Sequence, residues 1–179
     1  MSRMLFNRRQ IQGMVRRVAK QIIDAYNGQD IVLVVLLKGG VYFGVYLHRA
    51  LSASKKVGDV FIEFFRINSY GDDRTSGEVR VADIEPEVDL QRSIQGKHVI
   101  VVDEVADTRK SLAVVMAYLL SRNPASLRIC VAVNKSGAVK RPDVPLDFIG
   151  FDNVTGFLVG YGLDDQGKRR GDYFIESLD

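Results

Sequence analysis

The apolar positions along the chain form two kinds of pattern, one with helical spacing and one of short uninterrupted runs. In residues 8–26 the apolar side chains recur at helical spacing, on Ile11, Met14, Val15, Val18, Ile22 and Ile23. This spacing predicts an amphipathic helix. The next apolar run, Ile31–Leu37, is uninterrupted and rich in β-branched residues, as is typical of a strand covered on both faces. It ends at Lys38-Gly39-Gly40, after which Val41–Leu51 is predicted to be helical.

The same order of strand, loop and helix recurs in the second half. His98–Val102 is predicted as a strand, Asp103 to Lys110 as a polar loop, Ser111–Ser121 as a helix and Arg128–Val133 as the next strand. The remaining strand candidates are Phe61–Arg66, Phe148–Phe151 and Phe157–Val159. This repetition predicts an α/β fold, with a central, mostly parallel sheet flanked by helices. We expect one domain over residues 1–179, because no linker or repeat interrupts the pattern.

Composition narrows the class of protein. The net charge of +3 is too small to indicate a nucleic-acid partner. The longest apolar run has seven residues, Ile31–Leu37, whereas a membrane helix needs ~20. Cys130 has no second cysteine to pair with and lies in an apolar run, so we expect a buried strand thiol. We therefore expect a cytoplasmic protein without a membrane or nucleic-acid partner.

The strand His98–Val102 leads into the segment with the most informative chemistry. Two adjacent acids, Asp103 and Glu104, are followed by Asp107, and then by hydroxyl and basic residues where a helix begins. A helix N-terminus favours phosphate, and the carboxylates suit sugar hydroxyls or a cation. The alternative is that Asp107 or Thr108 only caps the helix, but a cap does not explain three acids beside a basic residue.

This stretch resembles the motif that binds phosphoribosyl pyrophosphate (PRPP) in type I phosphoribosyltransferases. The resemblance implies that family's fold with its small hood region, magnesium as cofactor, and PRPP and a 6-oxopurine base as substrates. By the same resemblance, Asp103 and Glu104 hold the ribose hydroxyls and Asp107 is the general base. The 5′-phosphate is then wrapped by residues 107–111, which are Asp107, Thr108, Arg109, Lys110 and Ser111.

Other segments are similar to the hypoxanthine-guanine branch of that family. Lys38 and Gly39 resemble its pyrophosphate loop, in which the Lys38–Gly39 peptide can be cis; a plain glycine turn is the alternative. The polar segment Ser69–Glu78 resembles its mobile lid, with Ser69 and Tyr70 at the tip. Loops of this length inside a compact domain are usually either functional or disordered. The alternative to a functional lid is therefore an exposed linker.

The resemblance places the purine site in the last third of the chain. It implies that Lys135 donates to the O6 atom of the base, that Phe157 stacks on its ring, and that the Leu158 backbone reads its edge. Asp164 then lies near magnesium, as do Asp103 and Glu104, and Arg170 reaches pyrophosphate. An isolated lysine or phenylalanine is otherwise a surface or core residue.

Two positions depart from the family pattern. Arg109 stands where relatives usually carry glycine, so a left-handed backbone there would carry a steric penalty, although a guanidinium can itself bind phosphate. The order Asp103-Glu104 reverses the common Glu-Asp pair and keeps both charges.

Three alternative functions follow from the sequence. Arg109 leaves room for a nucleotide-sensing regulator of the same fold with little catalysis. Within the enzymes, xanthine is an alternative base, since 6-oxopurines differ at C2. A dinucleotide-binding module is disfavoured, because the segment from Lys38 to Gly44 does not supply the required glycine pattern. Relatives commonly form dimers or tetramers, so we expect a homo-oligomer.

Overall fold

The computed structural model describes residues 2–67, 84–86, 94–137 and 142–179. Its helices are α1 (Arg8–Ala25), α2 (Gly40–Ser52) and α3 (Lys110–Leu120). Its strands are β1 (Arg3–Phe6), β2 (Ile31–Leu37), β3 (Val60–Ile67), β4 (Ile84–Pro86), β5 (His98–Ala106), β6 (Ser126–Lys135), β7 (Phe148–Val154), β8 (Leu158–Val159) and β9 (Ile175–Ser177).

The strands form two sheets. The larger has the order β4-β3-β2-β5-β6-β7 and is parallel apart from β4, which runs antiparallel to β3. The smaller is antiparallel, with the order β1-β9-β8. The predicted α/β fold with a central, mostly parallel sheet is confirmed, and the small sheet forms the hood beside it.

Strand β2 explains why the sheet needs cover on both faces. Ile31, Leu33 and Val35 pack in one hydrophobic cluster with α1 and α2, whereas Val32, Val34 and Leu36 pack in a second cluster with α3. All six are buried. Because successive side chains of a strand point to opposite faces, an unbroken apolar run requires this two-sided burial.

Helix α1 begins with a reciprocal capping arrangement. The Gln10 backbone N–H donates to Asn7 Oδ1 at 3.0 Å, and the Asn7 N–H donates to Gln10 Oε1 at 2.9 Å. These bonds satisfy two backbone donors near the helix start. The buried face consists of Ile11, Met14, Val15, Val18, Ala19 and Ile22, which confirms the predicted stripe apart from Ile23, which is only half-buried.

The polar loop predicted from Asp103 is wrong in its first half. Strand β5 continues to Ala106, and its register with β6 pairs Asp103 with Val131 and Ala106 with Asn134. Backbone pairing with β6 therefore overrides the polar side chains. Strands β1, β4 and β9 were not predicted, because each has only three or four residues and shows no clear periodicity. No helix in the described part of the chain is both long and apolar enough to cross a membrane.

Candidate active site

A pocket of about 530 Å³ lies at the carboxyl ends of the parallel strands. Ligands of open α/β sheets bind at this edge, because the loops that follow the strands converge there. The pocket is lined by Leu36, Leu37, Lys38, Gly39, Arg66, Asp103, Glu104, Val105, Asp107, Thr108, Arg109, Ser111, Leu112, Asp164 and Arg170. The structure thus brings together residues far apart in sequence.

Two adjacent acids in the second half of β5, Asp103 and Glu104, line the pocket. The Glu104 backbone N–H donates to Asp103 Oδ1 at 2.9 Å. Burial raises the pKa of the Glu104 carboxyl well above its ordinary value, and the nearby Asp103 charge raises it further, while Arg170 acts in the opposite direction. Burial also raises the pKa of Asp103, although its hydrogen bonds with Glu104 oppose the shift. This environment favours a partner that brings hydroxyl donors or positive charge.

The loop between β8 and β9 supplies a fixed ion pair opposite these acids. Arg170 Nη2 lies 2.5 Å from Asp164 Oδ1, and Arg170 Nη1 donates to the Gly162 carbonyl at 2.7 Å. The Gly167 N–H donates to Asp164 Oδ2 at 2.6 Å. Both oxygens of Asp164 are therefore engaged within its own loop.

Two glycines allow the end of β2 to lie close to both β5 and the loop between β8 and β9. A Cβ at Gly39 would overlap the Glu104 carboxylate, and a Cβ at Gly162 would overlap the Gly39 carbonyl. Gly162 also has φ +102, a conformation that side chains with a Cβ rarely adopt. The close approach therefore requires glycine at both positions. The cis peptide bond joins Leu37 to Lys38, one residue before the bond suggested by the family resemblance.

Asp107 and Lys135 are brought together by the β5–β6 pairing. Lys135 Nζ lies 3.1 Å from Asp107 Oδ2, and the two side chains are 21% and 50% exposed. Lys135 follows Asn134, which pairs with Ala106 at the end of β5. The two residues to which the family resemblance assigns base reading and general-base catalysis thus contact each other.

Arg109 adopts the left-handed conformation that sequence analysis identified as unfavourable for arginine, with φ 58° and ψ 6° at the start of α3. Its guanidinium donates to the Val144 carbonyl at 3.0 Å and to Asn134 Oδ1 at 3.2 Å. Two of its nitrogens are thus already bonded to protein oxygens.

Some of the predicted site residues do not line this pocket. Lys110, Lys135, Phe157 and Leu158 are absent from the pocket lining. Phe157 is 40% exposed and Leu158 is buried in β8. Ser69 and Tyr70 lie outside the described residues.

Two residues near the site were missed by sequence analysis. Arg66 lines the pocket near the end of β3, and its position as the last residue of the strand predicted over Phe61–Arg66 was an available signal. Asp179 accepts a hydrogen bond from the Phe157 backbone N–H, with both carboxylate oxygens 3.2 Å from that nitrogen. The Phe157 carbonyl accepts from the Leu178 N–H at 2.9 Å. No local pattern indicates this contact, because 22 residues separate Phe157 from Asp179.

Comparison with known proteins agrees with this geometry. Residues 2–166 match the family described as the phosphoribosyl transferase domain. A hypoxanthine-guanine phosphoribosyltransferase of Mycobacterium tuberculosis is 36% identical, over 98% of this chain and 85% of that protein. A hypoxanthine phosphoribosyltransferase of Escherichia coli is 34% identical, over 87% of this chain and 83% of that protein.

A solved structure gives the same result for the fold. A hypoxanthine-guanine phosphoribosyltransferase of Bacillus anthracis superimposes with a TM-score of 0.81 at 29% identity, covering 98% of this chain and 95% of that one. Both the sequence match and the fold extend over nearly the whole chain. The chain therefore belongs to the phosphoribosyltransferase family, in the group that includes the hypoxanthine-guanine phosphoribosyltransferases.

Proposed function

We propose that this protein joins a 6-oxopurine, hypoxanthine or guanine, to the ribose 5-phosphate of PRPP and releases pyrophosphate. The bond from C1 of the ribose to pyrophosphate breaks, a bond from C1 to N9 of the purine forms, and the proton on N7 passes to the enzyme. The observation that carries this proposal is the pocket itself. It combines two acids, a helix N-terminus and an arginine from separate parts of the chain.

The sugar and its 5′-phosphate fit the end of β5 and the start of α3. Asp103 and Glu104 accept hydrogen bonds from the two ribose hydroxyls. The backbone N–H groups of residues 107–111, with the Thr108 and Ser111 hydroxyls, hold the phosphate at the N-terminus of α3. Carboxylates beside the ring also favour the positive charge that develops on the sugar as pyrophosphate leaves.

The pyrophosphate site lies between the end of β2 and the loop from β8 to β9. The backbone at Lys38 and Gly39 and the Arg170 guanidinium face this region of the pocket. Arg170 is held by Asp164 and the Gly162 carbonyl, so it is positioned before the substrate arrives. A fixed cation at this place stabilises the leaving polyanion without reorganisation.

The residues present fit magnesium carried by the substrate. No group of three metal-ligating side chains occurs among the described residues, but Mg²⁺ typically binds through one or two carboxylates, waters and substrate phosphates. Asp103 and Glu104 supply such oxygens, and Asp164, whose oxygens are engaged, fits a contact through water. When bound, the ion neutralises the charge of pyrophosphate.

The base site is assigned to Lys135, Phe157, Leu158 and Asp107. Lys135 donates to O6, the exposed Phe157 ring stacks on the purine, and the Leu158 backbone contacts the C2 edge. Lys135 and Asp107 form an ion pair with each other at 3.1 Å. We infer that the base replaces this contact, so that Lys135 turns to O6 and Asp107 accepts the N7 proton. Ser69 and Tyr70 are proposed to close over pyrophosphate and exclude water.

A steady-state assay with PRPP, magnesium and each of five bases tests the proposal. The bases are hypoxanthine, guanine, xanthine, adenine and uracil. We expect turnover with hypoxanthine or guanine that a chelator abolishes and added magnesium restores. Turnover with xanthine alone would keep the enzyme class and change the assigned substrate from hypoxanthine or guanine to xanthine. Absence of turnover with every base would reject the enzymatic proposal and favour the nucleotide-sensing regulator.

A further inference from the structure

Two cross-links join the phosphate-binding loop to the end of β6. Asp107 contacts Lys135 at 3.1 Å, and Arg109 contacts Asn134 at 3.2 Å. Alternate residues of the loop thus bond to adjacent residues of the strand. Since the β5–β6 ladder ends with Ala106 opposite Asn134, these side-chain bonds extend the pairing beyond the last backbone bonds.

The proposed reaction requires one of these two cross-links to open and leaves the other intact. The contact of Asp107 with Lys135 must open, because both side chains are assigned to the base. Arg109 and Asn134 have no such assignment, so their bond can persist through the reaction. It would then be a side-chain link that keeps the phosphate loop in register with the strand that reads the base.

The amide of Asn134 is held in one orientation by its neighbours. Its oxygen accepts from Arg109, and its nitrogen donates to Asp152 Oδ1 at 2.6 Å. A guanidinium can only donate and a carboxylate can only accept, so a flipped amide would lose both bonds. Arg109 is held a second time by the Val144 carbonyl at 3.0 Å. Asn134 on β6 is therefore oriented by Arg109 and by Asp152 on β7, and the second acceptor of Arg109 lies in the segment between these two strands.

The backbone conformation of Arg109 indicates that its side chain has a functional role. The residue has φ 58°, which glycine adopts without penalty and arginine does not. A residue kept in an unfavourable conformation is a reason to look for function at that position. Two of the N–H donors of Arg109 already bond to protein oxygens, so direct binding of the phosphate would have to use the remaining donors or displace one of these bonds.

We propose that Arg109 is a positioning residue that couples the phosphate loop to the base-reading end of β6 through Asn134. This inference rests on the proposed function and deepens it. The backbone of residue 109 still takes part in the phosphate loop, whereas its guanidinium acts as a strut. In this protein an arginine at the usual glycine position therefore sets how precisely the base meets C1 of PRPP.

A double-mutant cycle with Arg109→Met and Asn134→Ala tests the strut. We expect each single variant to lower kcat/KM for the base by about tenfold at saturating PRPP, the effect of losing one hydrogen bond to a charged group. The double variant should be no worse than either single variant, because both changes remove the same link. The KM for PRPP should change little, and Arg109→Lys should restore part of the loss.

Asn123→Gly provides a matched control for the backbone. Asn123 is exposed, has φ 55° and follows α3 away from the pocket. Replacing this left-handed asparagine with glycine should leave the kinetics unchanged, since asparagine already tolerates the conformation. Arg109→Gly should relieve the backbone strain of Arg109 but keep the tenfold loss in kcat/KM, which separates the backbone from the side chain.

Two results would overturn the strut. Additive losses in the double variant would show that Arg109 and Asn134 act independently. Weaker binding of PRPP and of inorganic phosphate to Arg109→Met, with normal kinetics for Asn134→Ala, would make the guanidinium a phosphate ligand. A wild-type protein inactive with all bases would instead reject the proposed function. The same cycle in thermal stability would then still test the link.

Discussion

Asp107 has two partners in the proposed reaction, and its setting explains how one carboxylate serves both. It follows the last residue of β5, where the backbone turns toward α3, and its side chain is half exposed. Lys135 holds it from the neighbouring strand at 3.1 Å. Partly exposed ion pairs contribute little to stability, ~0–1 kcal/mol. The contact can therefore exchange for a substrate contact at small cost.

Replacing Asp107 with asparagine tests its role as the base. Asparagine has nearly the same shape but cannot accept the N7 proton. We expect kcat to fall by about 10²–10⁴-fold, the usual contribution of general-base catalysis. The affinity for PRPP, measured by calorimetry, should change little, because the phosphate is held mainly by backbone N–H groups.

Asp24→Asn is the matched control for this change. Asp24 lies on α1, pairs with Lys20 and is largely exposed, so the same substitution there should leave kcat unaltered. Equal turnover of Asp107→Asn and the wild type would remove Asp107 from the chemistry. A loss confined to PRPP affinity would make it a phosphate-loop residue only.

Residue identity was a good guide to the site only where the residue types are chemically unusual. Asp103, Glu104 and Asp107 stood out because three acids follow an apolar strand. Arg66 did not, since a single arginine at the end of a strand is usually a solvated surface residue. The destination of the Arg109 guanidinium was also unpredictable, because Val144 and Asn134 reach it only through the folded sheet.

At the scale of elements, the segment that precedes β8 is held by the residues after β9. The Phe157 N–H donates to Asp179 and its carbonyl accepts from Leu178. A Cβ at Gly156, which has φ +98, would overlap the side chains of Asp179 and Ser177. The backbone of the proposed stacking residue is thus fixed on both sides, while its ring stays exposed.

We predict that Gly156→Ala raises the KM for the purine by about five- to tenfold, because the new Cβ displaces Asp179 and frees the Phe157 backbone. Asp179→Ala should have the same effect, and Asp179→Asn should lose less because its amide oxygen can still accept. The KM for PRPP should stay near the wild-type value. Steady-state kinetics with each substrate varied in turn measures both constants.

Gly13→Ala controls for the added methyl group. Gly13 lies in α1, and a Cβ there meets no atom within 4 Å, so its kinetics should match the wild type. An unchanged purine KM in Gly156→Ala and Asp179→Ala, with folding intact by circular dichroism, would show that this contact does not position Phe157.

Elements with strong periodicity were predictable, and elements that depend on distant partners were not. The stripe of α1 and the apolar run of β2 determine their structures locally. The last residues of β5 do not, because Asp103 and Glu104 are strand residues only through pairing with β6. Strands β1 and β9 likewise exist because they pair with each other across the length of the chain.

For the whole molecule, the fold brings together a pocket whose halves are distant in sequence. The acids of β5 meet the end of β2 within the parallel sheet, and the loop carrying Asp164 and Arg170 closes from the small sheet. The order of predicted strands indicated the first half of this arrangement. The second half depends on the contact of Gly162 with Gly39, which no local pattern reveals.

This assembly places Asp103 and Glu104 in an environment that disfavours their ionised forms. The folded-state pKa of Glu104 lies well above its ordinary value of 4.5. Between those two values the folded protein binds more protons than the unfolded chain, so the free energy of unfolding falls as pH rises. The stabilising contribution of the protonated group is complete below the ordinary pKa and is lost as pH rises through the folded one.

Glu104→Gln should remove the Glu104 contribution to this pH dependence, because glutamine does not ionise, and leave only the contribution of Asp103. We expect the unliganded variant to resemble the wild type in thermal stability at pH 4.5 and to exceed it at pH 8. Glu63→Gln, a change at a half-buried residue of β3 outside the pocket lining, should leave the pH dependence of the wild type unaltered.

The same pair of proteins links this instability to binding. PRPP with magnesium supplies hydroxyls and positive charge to the acids, so the wild type should gain stability on binding by the usual linkage, about 2.7 kcal/mol at a hundredfold excess over Kd. In Glu104→Gln there is no charge repulsion between residues 103 and 104 for the ligand to relieve, and glutamine is a weaker hydrogen-bond acceptor. At the same ligand concentration the variant should therefore gain less stability than the wild type. Thermal melts at pH 8, with and without ligand, measure both effects. Parallel pH curves for the two unliganded proteins would show that Glu104 does not destabilise the empty site, and an equal gain on binding would show that its charge plays no part in holding PRPP.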